Sequence, residues 1–381
     1  MELSLVTSIA LAIVFFFLFK IATHHTSKKN LPPGPWGLPI IGHMHHLIGN
    51  EIRSSGSGRP INVSHYIYDI QGIVISRAAL GKELKDTTEF SNLIKNIFIE
   101  MGGLDVIDIF PSKQFIHIFS SKRARIAKMK NDYENIVTKI FAERLNNQSS
   151  TSVESLLDIL LRHKEGTEFP LTVDNVKAII FDVFAGSVGA AGTTIEWALS
   201  ELIRNPRVME KLQTELRQVL NGKERIQEED IQDLSYLNQV IKETLRLHPP
   251  APFLIPRQST EPSIFAGYDI PKKTKLLINA FAINRDPEYW KDPESYIPER
   301  FETNNINTVG ADYEYLPFGA GRRGCPGVGL GLANVRLPLA SMLYHFNWKL
   351  PNGTNNEDLD MSENYGISAS RKYELFLVPT F

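Results

Sequence analysis

The sequence predicts a mainly helical protein with a small β part. Two observations carry that prediction. Apolar residues recur at helical spacing through most of Ile61–Leu247 and again over 328–346. Short apolar runs broken by turn signals are confined to 251–281 and the tail. A third observation bounds the size of the fold: 381 residues, 43% hydrophobic and 22% charged, suffice for one large core or two smaller ones.

Leu3–Phe19 carries no charge over 17 residues, the short end of what spans a bilayer. Glu2 stands where a cleaved signal peptide would carry basic residues, and no small-x-small cleavage site follows. Residues 1–20 are therefore read as an uncleaved transmembrane anchor. Lys20, Lys28 and Lys29 follow the run, which places the downstream domain in the cytosol. In that compartment the sequons at Asn62, Asn147 and Asn352 carry no glycan.

Residues 21–50 are a basic, proline-rich hinge, stiffened by Pro32, Pro33 and Pro35. Residues 51–381 form the domain. "SSGSGRP" at 54–60 is a flexible loop by composition. Val176–Ile203 is the longest expected helix and is apolar on most faces, so it should run through the interior. A second helix is expected over 233–250, closed by Pro249 and Pro250. Residues 251–281 read as strands of a small sheet, 285–324 as turns, 328–346 as a helix and the tail as a strand or hairpin. The sequence shows no internal repeat.

A net charge of −2 gives no reason to expect a nucleic-acid partner. One cysteine, Cys325, excludes an internal disulfide framework and any multi-cysteine metal site. It lies in "PFGAGRRGCPG", residues 317–327. Gly319, Gly321, Gly324 and Gly327 clear side chains from around the sulfur, so a flat, bulky group could approach the backbone. A cysteine just before a helix lies where N–H groups and the helix dipole favour negative charge. Arg322 and Arg323 could meet anionic groups of the same ligand.

Three readings of the loop compete. A nucleophilic cysteine needs a histidine partner, and none of the 10 histidines lies in a recognisable signature. A phosphate loop needs Gly-x-x-x-x-Gly-Lys-Ser/Thr, which is absent. An axial thiolate for haem iron needs one cysteine, an open loop and cations for the propionates.

"FGAGRRGCPG" resembles the haem-binding signature Phe-x-x-Gly-x-Arg-x-Cys-x-Gly of the cytochrome P450 family, aligning Phe318, Arg323, Cys325 and Gly327. "KETLR" supplies that family's Glu-x-x-Arg as Glu243 and Arg246, and "PERF" supplies its third member, Arg300. "PPGP" at 32–35 is similar to the family's hinge. "PIIGHMHHLIG", "FPLTVDNVKAII", "FAINRDPEYWKDPE" and "YHFNWKLPNG" resemble plant sesquiterpene oxidases of the family.

The resemblance implies a single-pass protein of the endoplasmic reticulum membrane that binds haem b through Cys325. It implies electrons from NADPH, delivered by NADPH–cytochrome P450 reductase, and oxidation of an apolar terpenoid. It further implies propionate contacts from Arg323 and Arg257. The candidate substrate pocket by family position is Phe184, Phe253, Leu254, Ile255 and Ile367.

Two departures from the family stand out. "HMHHLIGN" at 43–50 runs almost directly into "SSGSGRPINVS" at 54–64, where relatives carry a long stretch with early helices and a propionate contact. The long helix also lacks the acid–alcohol pair the family uses in oxygen activation. Aligned on Glu196-Trp197, those positions are Gly189 and Ala190, with Thr193 and Thr194 about one turn further on.

Overall fold

The computed structural model describes residues 58–81, 121–146, 154–162 and 170–380, short of a few positions in 304–311 and residue 365, together with Phe90, Leu93, Asn96, Ile97 and Glu100. The expected anchor, the hinge and the join at 50–54 lie outside the described residues. What is described belongs to one compact unit, Leu38–Phe381.

The longest helix, α4 (Val173–Arg204), organises the rest. A capping box starts it: the Thr172 hydroxyl accepts from the Asn175 N–H (3.1 Å), and the Asn175 side chain accepts from the Thr172 N–H (3.0 Å). Pro206, which opens α5 (Pro206–Val219), prevents its continuation. From Ala191 to Ile203 every residue of α4 is buried, while its first half keeps an open side at Asp182, Gly186 and Gly189. Among the described residues α4 is long and apolar enough to cross a membrane, but half of that window is buried in protein, as befits a core helix. Burying Leu199 and Leu202 alone is worth about 1.5–3 kcal/mol each.

Helix α1 (Val63–Leu80) lies along α4, and together they join two core clusters. The first gathers α5, α6 (Ser235–Leu247) and α9 (Val328–His345) around the C-terminal half of α4. The second packs α2 (Ser121–Asn146) and α3 (Leu156–Arg162) around its N-terminal half. Where α1 meets α4 the contact is partly polar. Tyr68 shares a hydrogen bond with Thr193 (3.2 Å), and Ser64 donates to Glu196. Burial pushes the Tyr68 hydroxyl well above its ordinary range. A Cβ at Gly192 would sit 2.7 Å from the Tyr68 ring, so glycine there sets how closely the helices approach.

Asn62, the N-cap of α1, accepts from the His65 N–H (3.2 Å) and donates through Nδ2 to Glu374 (2.8 Å).

The tail strand β7 (Phe376–Thr380) is central in an antiparallel three-stranded sheet, between β1 (Ile61–Asn62) and β6 (Asn347–Lys349). Leu377 pairs with Ile61, and Val378 with Lys349. Residues 251–281 do not form one small sheet, as the sequence led us to expect. They form two separate ribbons: β2 (Arg257–Gln258) with β5 (Lys275–Leu276), and β3 (Ser263–Phe265) with β4 (Tyr268–Ile270). Leu276, Leu277 and Ile278, at and just after the end of β5, are exposed in succession and lack apolar cover among the described residues. Two short helices, α7 (Ala280–Ile283) and α8 (Arg300–Thr303), punctuate the turns that follow.

Candidate functional site

The cysteine loop is shaped by its own backbone. The Cys325 N–H donates to the Phe318 carbonyl (2.9 Å), closing the loop at its neck. Gly319 and Gly321 take φ of 67° and 68°, and a single 3-10 turn spans Gly321–Arg323. Gly327 caps α9, whose first turn closes with the Gly331 N–H on the Gly327 carbonyl (2.7 Å). Cys325 lies just before that helix start, as a free, exposed thiol.

Neighbouring segments hold the loop from several sides. The Arg257 guanidinium donates to the Arg323 carbonyl (2.9 Å), tying β2 to it. The Leu254 side chain lies 3.6 Å from where a Cβ on Gly319 would be. Gly310 supports it most closely: a Cβ there would fall 2.6 Å from the Gly319 carbonyl oxygen, and its φ is +71°. Nothing in the sequence motifs marks Gly310. Gly310→Ala should therefore displace the cysteine loop and cost about 1–3 kcal/mol. Gly353→Ala is the control, since its φ is also positive (70°) but its Cβ would meet nothing. The check is thermal unfolding with haem loading per chain; equal effects of the two variants would contradict the reading.

The structure brings Glu243, Arg246 and Arg300 together, with Glu243 and Arg246 in the interior. Glu243 and Arg246 are both 0% exposed. The Arg246 Nε and Nη2 donate to the two Glu243 oxygens at 2.8 and 2.9 Å, and the Arg300 Nε donates at 3.0 Å. The remaining donors grip the following chain. Arg246 Nη1 reaches the carbonyls of Asn284 (2.9 Å) and Pro293 (2.7 Å), and Arg300 Nη1 that of Lys291 (2.9 Å). Asn284 then accepts from the Leu316 N–H (3.2 Å), and the Trp290 indole donates to the Glu314 carbonyl (3.1 Å). The buried charges thus set the path of 284–300, which sets 314–316, which leads into the cysteine loop. Glu299 is anchored separately by Arg207 (2.7 Å), Lys211 (3.0 Å) and Tyr236 (2.9 Å). The hydrogen bond from Arg207, chiefly, holds its carboxyl well below the usual range.

The five pocket candidates do not share one environment. Phe253 and Ile255 are exposed, Leu254 is buried against the loop, and Ile367 is half-buried. Phe184 lies in the second core cluster, edge-on to Phe90 at 4.8 Å, and is 1% exposed. On α4 the structure also places the threonines. The Thr194 hydroxyl donates to the Ala190 carbonyl (2.8 Å), and Thr193 is engaged with Tyr68.

Among the described residues no group of three or more His, Cys, Asp or Glu could hold a metal ion. Cys325 fits an ion that asks the protein for one sulfur ligand. A Cβ at Gly327 would meet only the Cys325 sulfur, 3.9 Å away, and one at Gly321 would meet nothing within 4 Å, so the loop beside the sulfur is uncrowded. The residues present therefore fit a haem approaching this face.

The family described as Cytochrome P450 matches residues 40–376. Germacrene A hydroxylase of Tanacetum parthenium is 47% identical over 488 positions, with all of both chains covered. Amorpha-4,11-diene 12-monooxygenase of Artemisia annua is 46% identical over 488 positions, covering all of this chain and 99% of that one. Those alignments are 107 positions longer than the 381 residues of this chain, and the Tanacetum alignment covers both chains throughout, so the shortfall is internal. A zebra fish cytochrome P450 solved with progesterone shares the fold, with TM-score 0.73 and 23% identity over 89% of this chain and 76% of that one. The chain belongs to the cytochrome P450 family of haem monooxygenases.

Proposed function

We propose that this chain is a sesquiterpene-oxidising cytochrome P450, anchored in the endoplasmic reticulum membrane and supplied with NADPH-derived electrons by NADPH–cytochrome P450 reductase. The similarity over the whole chain to a germacrene A hydroxylase and an amorphadiene monooxygenase carries the reading. Bound haem supplies the oxygen chemistry. Cys325 would hold its iron, with Phe318 and Gly327 shaping the loop, and Arg323 and Arg257 would balance its propionates. Phe253, Leu254, Ile255 and Ile367 contribute apolar walls, and Phe184 is the candidate from the long helix. A hydrocarbon offers no polar handle, so shape orients it.

One observation favours a second reading, that the chain as it stands does not oxidise. Its internal shortfall of 107 positions relative to the 488-position alignments, placed by the sequence at 50–54, accompanies exposed apolar residues at Phe253, Ile255 and Leu276–Ile278. Among the described residues the proposed walls at Phe253 and Ile255 thus stand open where a catalytic pocket excludes water.

Proton supply separates the possibilities further. Gly189 and Ala190 carry neither an acid nor a hydroxyl, and both nearby threonine hydroxyls are engaged on α4 and α1. The test uses three proteins with reductase and a sesquiterpene: this chain, this chain with a relative's segment inserted after Asn50, and that insertion with Gly189→Asp and Ala190→Thr. On the second reading the first gives little oxidised product. The second should consume NADPH but release mostly hydrogen peroxide. A positioned proton donor contributes roughly 10²–10⁴-fold, so the third should raise product per NADPH by at least roughly tenfold. Efficient terpene oxidation by the first protein overturns the second reading, and none by any of the three overturns the proposal.

A further inference from the structure

The hairpin of residues 362–372 carries Ile367 near its tip. Its two sides pair through the Asn364 N–H on the Ser370 carbonyl (2.8 Å) and the Lys372 N–H on the Ser362 carbonyl (2.9 Å), with Glu363 opposite Arg371 in a single bridge. It is fastened to one face of α4. Trp197, Ser200 and Glu201, spaced i, i+3, i+4, present that face together.

Each of the three makes a directional contact. The Trp197 indole N–H donates to the Ala369 carbonyl (2.7 Å). The Ser200 hydroxyl accepts from Arg371 Nη1 (3.0 Å). Glu201 bonds His248 Nε2 (2.8 Å), and the other nitrogen of that ring lies 3.6 Å from a Glu363 oxygen. The His248 and Trp197 rings stack with centroids 4.1 Å apart and planes 6° from parallel. Two residues beyond His248, the Pro250 carbonyl accepts from the Ala369 N–H (3.1 Å). Trp197 is 0% and His248 7% exposed. Three segments distant in sequence therefore meet at one indole.

Apolar side chains could glue these segments without desolvating His248, Arg371 and the Glu201 carboxylate. Directional bonds do what apolar packing does not: they fix how far the hairpin advances. We infer that Trp197 and His248 are positioning residues that set the depth of the Ile367 hairpin, and through it the shape of one pocket wall for a hydrocarbon substrate. This rests on the assignment of Ile367 to the pocket under the proposed function. A substrate oriented by shape alone is sensitive to such a displacement.

The test uses the full chain and three variants. Trp197→Phe keeps a ring to stack but loses the N–H; His248→Phe keeps the stack but loses the bond to Glu201; His248→Gln keeps a donor but loses the stack. Amide hydrogen exchange is read over 362–372, with 328–345 as internal reference, and amorpha-4,11-diene affinity is read by equilibrium dialysis. Trp197→Phe and His248→Phe should each speed hairpin exchange at least tenfold relative to the reference and weaken diene binding at least threefold, with partial rescue in His248→Gln. If His248→Phe fails to fold, the two milder variants decide. Unchanged hairpin exchange overturns the proposal. Equal acceleration of 328–345 does so too, since the role is then general packing. Faster hairpin exchange with unaltered diene affinity leaves the anchoring intact and overturns the pocket role of Ile367, and with it the proposal.

Discussion

Glu243→Ala should strongly destabilise the domain. The substitution leaves Arg246 fully buried without its bidentate partner, and Arg300 loses the same carboxylate. Breaking a buried pair from one side costs about 3–5 kcal/mol, against a typical net stability of about 5–15 kcal/mol. The Ile297 N–H, which donates to Glu243 at 2.8 Å, is orphaned as well. Glu243→Gln keeps the acceptor oxygen but not the charge, so it should fall between wild type and alanine. Urea unfolding followed by circular dichroism gives the values. A loss below about 1 kcal/mol for alanine would mean that water reaches Arg246, contrary to its complete burial.

Cys325→Ser should do the reverse, sparing the fold and abolishing the thiolate–haem signature. Its thiol is exposed, and the loop is closed by its backbone N–H on Phe318, which serine keeps. The haem-free domain should change by no more than about 0.5 kcal/mol, as for surface substitutions. The strongly red-shifted Soret band of the reduced, CO-bound form, which reports sulfur ligation, should vanish. A surviving band in Cys325→Ser would assign the iron to another ligand. A large loss of haem-free stability would make Cys325 structural.

The sequence by itself determined the local matters. The helical period fixed a buried helix near Val176–Ile203, observed as Val173–Arg204. Pro206, Pro249 and Pro250 fixed helix ends, since a chain without an N–H cannot continue the ladder. The glycine spacing around Cys325 foretold an open loop, and Glu243 and Arg246 three apart had to share a helix face. Only the tertiary structure decided what those pieces meet. Burial of the Glu243–Arg246 pair depends on chain arriving from 284–300, which no local pattern encodes. Gly310 matters because another loop's carbonyl approaches it, and Trp197 because His248 and Ala369 converge on it from far along the chain. The strands of 251–281 were legible as strands but not as separate ribbons, because pairing is a contact between segments and period-two alternation describes only one. Propensity and periodicity act over a few residues. Desolvation, close approach and charge pairing are set by neighbours in space, so the chemistry of the site had to wait for the fold.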